Sequence, residues 1–246
     1  MAPAPWPPRL DQRVINGQER MDDPAADPVM LSRTYHQFKY VNAAIAGWHR
    51  IYRSRIRPVL RRERTNSIAD IGSGGGDITR ALAHWAQRDG FQITVLGVDP
   101  DERAHAYALA QPAVDGVSFR TAYSHDLVHE GAAFDIVVSN FMLHHLTSVE
   151  LQALLADSER LCTARTIHAD IERSRLAYAL FSAGTSPFFH NSFIREDGLT
   201  SIRRSYTHSE LTAEAPQGWR VELQIPYRNL LIFDVGQRPG GPSGDR

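Results

Sequence analysis

A chain of 246 residues with 42% hydrophobic and 22% charged residues can bury one large core, which excludes wholesale disorder and suits a single domain with an embellishment. A formal net charge of −1 supplies no overall field to hold nucleic acid or an anionic membrane. The single cysteine, Cys162, excludes a disulfide framework and every multi-cysteine metal site.

The segment 1–28 opens with MAPAPWPP, continues polar, and carries Pro24 and Pro28, so it is expected to be a disordered or extended tail without packing of its own. No apolar leader and no run long enough to cross a bilayer is present, so neither a signal peptide nor a membrane span is expected and the expected location is cytoplasmic. Residues 29–64 form a helical cap in this reading. Leu31, Tyr35, Phe38, Val41, Ile45, Trp48, Tyr52, Ile56 and Val59 make one apolar stripe, and Gly47 and Pro58 predict a bend or two helices. Arg50, Arg53, Arg57, Arg61 and Arg64 lie on another face and read as solvated surface. An RNA anchor needs interleaved aromatics, and those sit on the apolar stripe.

After Thr65 the period shortens. Strands are expected over 67–72, 92–98, 117–122, 134–140 and 165–171, with helices over 77–89, 101–110 and 148–161. Thr147 and Glu150 form a capping-box pattern before the last helix. Segments 220–226 and 229–235, joined by a short turn, predict an antiparallel hairpin. The expected fold is therefore α/β and Rossmann-like, mostly parallel, with chemistry at the carboxyl ends of the strands. The domain spans 65–235, and 236–246, rich in Gly and Pro, reads as a second disordered tail.

The first strand ends in Asp70-Ile71-Gly72-Ser73-Gly74-Gly75-Gly76-Asp77. Asp77 stands where a dinucleotide fingerprint needs glycine, and no lysine completes a phosphate loop. Asp70 repels a pyrophosphate but suits an ammonium. Asp99, closing the next strand before Pro100, suits a ribose diol. An ammonium, a carboxylate for the helix N-terminus and a ribose, without phosphate, describe S-adenosylmethionine. DIGSGGGD with an acid closing the following strand resembles the class I S-adenosylmethionine-dependent methyltransferases, over about residues 66–235. That resemblance implies a seven-stranded sheet, and Asp70, Gly72 and Gly74 with Asp99 as cofactor ligands. Ser73, Pro100 and Asn140 flank them. After strand three, relatives often carry an acid for the adenine amino group. Here Tyr123 takes that place, followed by Ser124 and Asp126, so stacking by Tyr123 or a reach from Asp126 replaces it in this reading.

Strand four runs into Ser139-Asn140-Phe141-Met142-Leu143-His144-His145, and a paired histidine there resembles the ubiquinone- and menaquinone-type small-molecule enzymes. One of His144 and His145 is expected to deprotonate a hydroxyl acceptor, with Asp170 orienting the ring. Segment 176–207 is an insertion expected to form a lid. Phe188, Arg195 and Tyr206 from it, with Tyr35, Phe38 and Trp48 from the helical cap, are the expected acceptor-binding residues. The pattern of TYHQFKYVN, DIERSRLAY and REDGLTSIRRSY resembles methyltransferases of aromatic polyketide pathways. The expected partner is thus a small aromatic acceptor, phenolic, quinol-like or polyketide-derived, methylated on oxygen, by a monomer or homodimer using S-adenosyl-L-methionine and no metal. Methylation at a ring carbon, and a methyltransferase-fold protein that binds without turnover, are the alternatives.

Overall fold

Five parallel strands, β1 (Asn66–Ile71), β2 (Ile93–Val98), β3 (Val117–Arg120), β4 (Phe134–Asn140) and β5 (Cys162–Ile171), build the sheet. A hairpin completes it: β7 (Arg228–Asp234) lies antiparallel between β5 and β6 (Trp219–Gln224). The mostly parallel sheet and its antiparallel hairpin are as the sequence predicts, and the order is β3-β2-β1-β4-β5-β7-β6, in a computed structural model that describes residues 10–42, 46–186, 189 and 191–237. β1 is buried almost throughout because helices cover both sheet faces.

Alternation along the strands sorts the core into two layers. Ile68, Val95, Ile136, Ile167 and Ile232 face α3 (Asp77–Arg88) through Leu82, Ala83 and Ala86. Ala69, Ile71, Val137, Leu231 and Phe233 face the other layer. There Leu127 of α5 (Ser124–His129), Leu151, Leu154 and Leu155 of α6 (Ser148–Leu161) and Leu211 of α9 (His208–Glu214) complete the packing. α4 (Glu102–Ala110) joins β2 to β3. The capping box of α6 is formed: the Glu150 carboxylate accepts from Thr147 N at 2.8 Å, and Thr147 Oγ1 accepts from Glu150 N.

The N-terminal helices bend where the sequence predicts. α1 (Pro28–Val41) is followed by α2 (Trp48–Ile51), which begins at Gly47 with φ +64° and continues through a π turn, Tyr52–Ile56, and a 3-10 turn, Arg57–Val59. Trp48 is not an acceptor-pocket residue as expected. It is 1% exposed in the core beside Ile51 and Ile56, because the apolar stripe past Gly47 turns onto the sheet. The arginine face is solvent-facing, with Arg57 paired to Asp89 and Arg64 to Asp135 within the chain.

The expectation of a loose segment over 1–28 is corrected for its described part. Leu10 and Glu19 are buried, and Val14 N donates to Arg203 O at 3.0 Å. Arg13 donates to Arg204 O at 2.7 Å and Leu146 O at 3.2 Å, with its guanidinium 3.5 Å from the centre of the Tyr206 ring. Arg173 is buried and donates to Leu10 O at 3.0 Å and Ser205 O at 2.8 Å. These ties are polar and long-range, so no periodicity announces them.

After β5 come α7 (Arg175–Thr185) and α8 (Ile194–Arg204), in the segment expected to form a lid. Phe188 lies outside the described residues, as do 238–246.

Trp48 supplies the most direct check on the corrected packing. Trp48→Ala should destabilise the protein by about 3–5 kcal/mol in a denaturant titration, the range for emptying a buried aromatic site. A loss below about 1 kcal/mol would contradict its core placement.

Candidate active site

The strand order reverses between β1 and β4, and the loops leaving these strands diverge there. A cavity of about 890 Å³ opens at this end of the sheet. One half is lined by the glycine loop, Asp70 to Gly75, by Asp99 and Pro100, and by Ala122, Tyr123 and Ser124. The other half is lined by Asn140, Phe141, Met142, His144, His145 and Arg228, with Tyr35 and Phe38 from α1 and Leu180, Phe181, Ile194 and Ile202 from α7 and α8.

In the first half the loop is tied to β2. Gly72 N and Ser73 N both donate to Val98 O, at 2.8 and 3.0 Å. Gly72 has φ +70°, and a Cβ there would stand 2.8 Å from Met142 Sδ. Gly74 has φ +52° and open space where its Cβ would be, so its backbone is what a ligand meets. Asp99 accepts from Gly74 N at 2.8 Å and Asp101 N at 2.9 Å, which fixes the carboxylate and leaves lone pairs toward the cavity. Burial raises the Asp99 carboxyl pKa despite these amides. Asp70 is 1% exposed and accepts from Thr79 Oγ1 at 2.7 Å. Burial raises its pKa to about 7; the Thr79 hydroxyl opposes this, and Asp77 and Asp99 add to it.

Asp126 does not reach this cavity. Its carboxylate accepts from Tyr123 N at 2.9 Å and caps α5, so the expectation that it meets a ligand is corrected. Tyr123 is exposed at the rim and stacks on His125, 5.2 Å between ring centres.

A chain of side-chain hydrogen bonds links the halves. Arg228 Nη2 donates to Asn140 Oδ1 at 2.7 Å, Asn140 Nδ2 to Asn42 Oδ1 at 3.1 Å, and Asn42 Nδ2 to Asp77 Oδ2 at 2.7 Å. Arg228 is buried, which lowers its pKa to about 10 against the opposing pull of Asp170.

The histidine pair sits on a 3-10 turn, Leu143–His145. Asp170, at the end of β5, grips His144 twice: Oδ2 accepts from the backbone N at 2.8 Å, and Oδ1 stands 2.8 Å from Nδ1. Asp170 does not itself line the cavity; it positions His144. His144 Nε2 is 3.3 Å from Glu19 Oε1, a contact whose alignment falls short of a hydrogen bond. His145 Nε2 is 3.8 Å from Glu19 Oε2, and its Nδ1 is 3.4 Å from Asp22 Oδ2. Burial alone would lower the His144 pKa, but Asp170 and Glu19 outweigh it and raise it. Burial likewise pushes the Glu19 carboxyl up, and the two histidines with Ser201 hold it well below the usual range. His168 is a core histidine between Ser139 and Ser158, with its pKa lowered to about 3 by burial.

Two further expectations change. Tyr206 is buried in the core beneath Arg13, and Arg195 reaches Ser182 at 3.4 Å; neither lines the cavity. Sequence reasoning missed Glu19, Asp22, Asn42 and Arg228, which occupy no motif. Asp77 stands in the quoted glycine motif, but nothing there signals its tie to Asn42.

Residues 68–165 match the family model described as a methyltransferase domain. Over 86 residues the chain is 31% identical to a ubiquinone biosynthesis O-methyltransferase of Rhizobium etli, covering 34% of this chain and 32% of that protein. A Rhizobium leguminosarum protein of the same name is 32% identical over 85 residues, 34% of this chain and 31% of that one. The match thus spans about a third of these curated relatives. A SAM-dependent methyltransferase from Aquifex aeolicus superposes with TM-score 0.54 at 13% identity, covering 84% of this chain and 97% of the other. Human N-acetylserotonin methyltransferase, in complex with SAM, gives TM-score 0.55 at 11% identity, covering 82% and 55%. Over residues 68–165 the chain is thus similar to a methyltransferase domain, and its fold is that of these SAM-dependent methyltransferase structures.

Asp70 makes stability depend on pH in a stated direction. Its pKa is raised when folded, so its contribution is complete below the unfolded value of 3.8 and is lost as pH rises to about 7. Asp70→Asn, which cannot ionise, should melt higher than the parent at pH 8, by ~1–3 kcal/mol, and no higher at pH 4. Equal melting curves at pH 8 would remove the raised pKa from the account.

Proposed function

We propose that this chain transfers a methyl group from S-adenosyl-L-methionine to a hydroxyl of a small aromatic acceptor, phenolic, quinol-like or polyketide-derived. The observation that carries the reading is one continuous cavity with the carboxylates Asp70 and Asp99 at one end and His144, His145 and aromatic walls at the other. The cofactor fits what this chain offers. Among the described residues Asp70 is a buried carboxylate without a cationic partner, suited to an ammonium, and Asp99 has lone pairs left for a ribose diol beside the open face of Gly74. Bound there, the cofactor supplies an electrophilic methyl group on a sulfonium.

The residues of the chain then have separable tasks. Asn140 is braced by Arg228 and Asn42 at the junction of the two halves, where it orients whatever crosses between them. Tyr35, Phe38, Phe141 and Phe181 offer flat apolar surface to an aromatic ring and exclude water from it. A phenol attacks well only after its proton leaves, and His144 and His145 line the same cavity as the aromatic walls. Asp170 holds His144 in place, and His145, partly exposed, faces the cavity. α7 and α8 cover the acceptor half, the role of a lid. The described part of the N-terminal segment closes the same half by bringing Glu19 and Asp22 against the histidines.

The test is a methyl-transfer assay with labelled cofactor over a panel of phenols, catechols and hydroquinones, with the product's methyl position read by NMR. A methyl ether confirms transfer to oxygen, a ring methyl moves the reaction to carbon, and cofactor binding without transfer to any acceptor would favour a binding protein.

Asp99→Ala should weaken the cofactor by ~1.5–3 kcal/mol, the range for hydrogen bonds to a charged group, as read by calorimetry. Unchanged affinity in a folded variant would refute the ribose assignment. Replacing His144 or His145 with Ala should lower kcat by ~10²-fold or more for at least one of the two, at unchanged cofactor affinity. Retention of kcat within a few-fold in both would reassign the loop to shaping the pocket. A chain starting at Pro28 should keep cofactor affinity and lose turnover, since it lacks Glu19 and Asp22; full turnover would show that the segment only packs.

A further inference from the structure

Two histidines and one glutamate converge at the acceptor end of the cavity. The nearest ligand atoms of Glu19, His144 and His145 all lie within 4.8 Å of one another, although Glu19 is 125 residues from His144 in the chain. Each imidazole has a carboxylate behind it, hydrogen-bonded at His144 and only nearby at His145. Asp170 Oδ1 takes His144 Nδ1 at 2.8 Å, and Asp22 Oδ2 stands 3.4 Å from His145 Nδ1. Each imidazole then turns Nε2 toward Glu19, at 3.3 Å from Oε1 and 3.8 Å from Oε2. At His144 this is the carboxylate–histidine arrangement by which proteins fix the tautomer of metal-bound histidines and raise their basicity.

The His144–Glu19 separation of 3.3 Å matches the chemistry, while His145, at 3.8 Å, would have to close in by a small shift. Ligands ~2.0–2.1 Å from a tetrahedral zinc ion stand ~3.3 Å from each other. Two well-aligned hydrogen-bonding atoms would be closer, at ~2.7–3.0 Å. His144 Nε2 is buried, has no hydrogen-bond partner and points at a carboxylate buried to 4% exposure. The geometry leaves room for a cation between this nitrogen and the carboxylate. Around the cluster, Glu19, Asp22 and Asp170 are carboxylates, and Asp197 stands near. The cations close by are Arg204, with Nη1 3.8 Å from Glu19 Oε1, Arg228 beside Asp170, and Arg13, with Nη2 3.4 Å from His144 O. Ser201 Oγ donates to Glu19 Oε1 at 2.9 Å, leaving Oε2 free.

We propose that Glu19, His144 and His145 form a binding site for a divalent cation of the zinc or iron(II) class, a two-histidine, one-carboxylate set. Three protein ligands leave a position open, and all three residues line the cavity, so that position faces the space for the acceptor. An acceptor hydroxyl bound there would lose its proton more easily. That last clause rests on the methyl-transfer reading, whereas metal binding does not. The sequence alone predicts no metal, because Glu19 lies in a stretch without motif and reaches the histidines only through the fold.

The experiment uses the full chain without a polyhistidine tag. Metal content is measured by elemental mass spectrometry after purification, and again after chelation and reloading with zinc or cobalt(II). About one equivalent of metal per chain is expected, and the cobalt form should show visible absorption of a low-coordinate site. Glu19→Gln and His145→Ala should each weaken zinc at least tenfold, and Asp22→Asn, behind His145, should weaken it less. His84→Ala, on an exposed histidine of α3, should leave affinity and stoichiometry unchanged. Circular dichroism checks that each variant is folded. A parent chain that holds less than about 0.1 equivalent after zinc loading, with no cobalt spectrum, would overturn the proposal and leave an imidazolium–carboxylate pair. Equal loss in His84→Ala would also overturn it. Loaded metal without methyl transfer would count against the function proposed above and not against this site; methyl transfer at full rate by metal-free protein would overturn the metal's part in acceptor deprotonation and leave the binding site to the metal-content measurement.

Discussion

The acceptor half of the cavity is organised by one buried carboxylate. Asp170 lies at the carboxyl end of β5, away from water, where an ionised group persists only with close hydrogen-bonding or charged partners. It has them: the His144 backbone N, the His144 ring and its neighbour Ile171 N. Burial raises its pKa, but His144 outweighs burial and holds it below the usual carboxylate value. The geometric consequence is larger than the energetic one. With its backbone and ring both bound to one carboxylate, His144 cannot turn, and its Nε2 is committed toward the N-terminal segment. Glu19 is thereby drawn into the interior, and the strand-like stretch that carries it is drawn with it.

That stretch is kept in place from both sides. Asp197 of α8 accepts from Arg20 N at 2.7 Å and Met21 N at 3.0 Å, while Arg103 of α4 donates to Met21 O at 3.0 Å. Arg13 reaches carbonyls on the histidine turn and at the end of α8. The segment thus ties the β2–β3 side of the sheet to the β5 side across the mouth of the cavity. The Arg228–Asn140–Asn42–Asp77 chain makes a parallel tie inside it. Both run through side chains that have apolar surroundings and few alternatives, which is how polar networks specify one arrangement.

This division explains what was legible in the sequence. Strand positions, the capping box, the bend at Gly47 and the glycine loop rest on local rules: period-2 and helical spacing, a reciprocal cap, and positive φ. Those rules operate between residues near in the chain, and they place Asp70, Gly72, Gly74 and Asp99 on one wall. Asp170 beside His144 was readable as well, since two adjacent parallel strands bring their ends together. Trp48 and Tyr206 were misplaced because an aromatic on an apolar stripe looks the same whether it faces a ligand or a sheet. Glu19, Asp22 and Arg228 gave no signal, because their partners are set by the closing of the whole fold. Asp126 satisfied a helix N-terminus, a use that its spacing from Tyr123 already allowed.

The two halves of the cavity therefore carry different constraints. The cofactor half holds carboxylates that burial disfavours, so its function is kept at the expense of stability, and neutral substitutions there should be tolerated by the fold but not by the ligand. The acceptor half holds charges that already neutralise one another across three distant segments, so a change at any one of them leaves the others buried and unpaired. Losing Asp170 frees His144, losing His144 strands Glu19, and losing Glu19 releases the segment that closes the cavity. Variation in which acceptor is used is thus easier to build in the aromatic walls, where Phe38, Leu180 and Phe181 can change size one at a time, than in the charged turn beneath them.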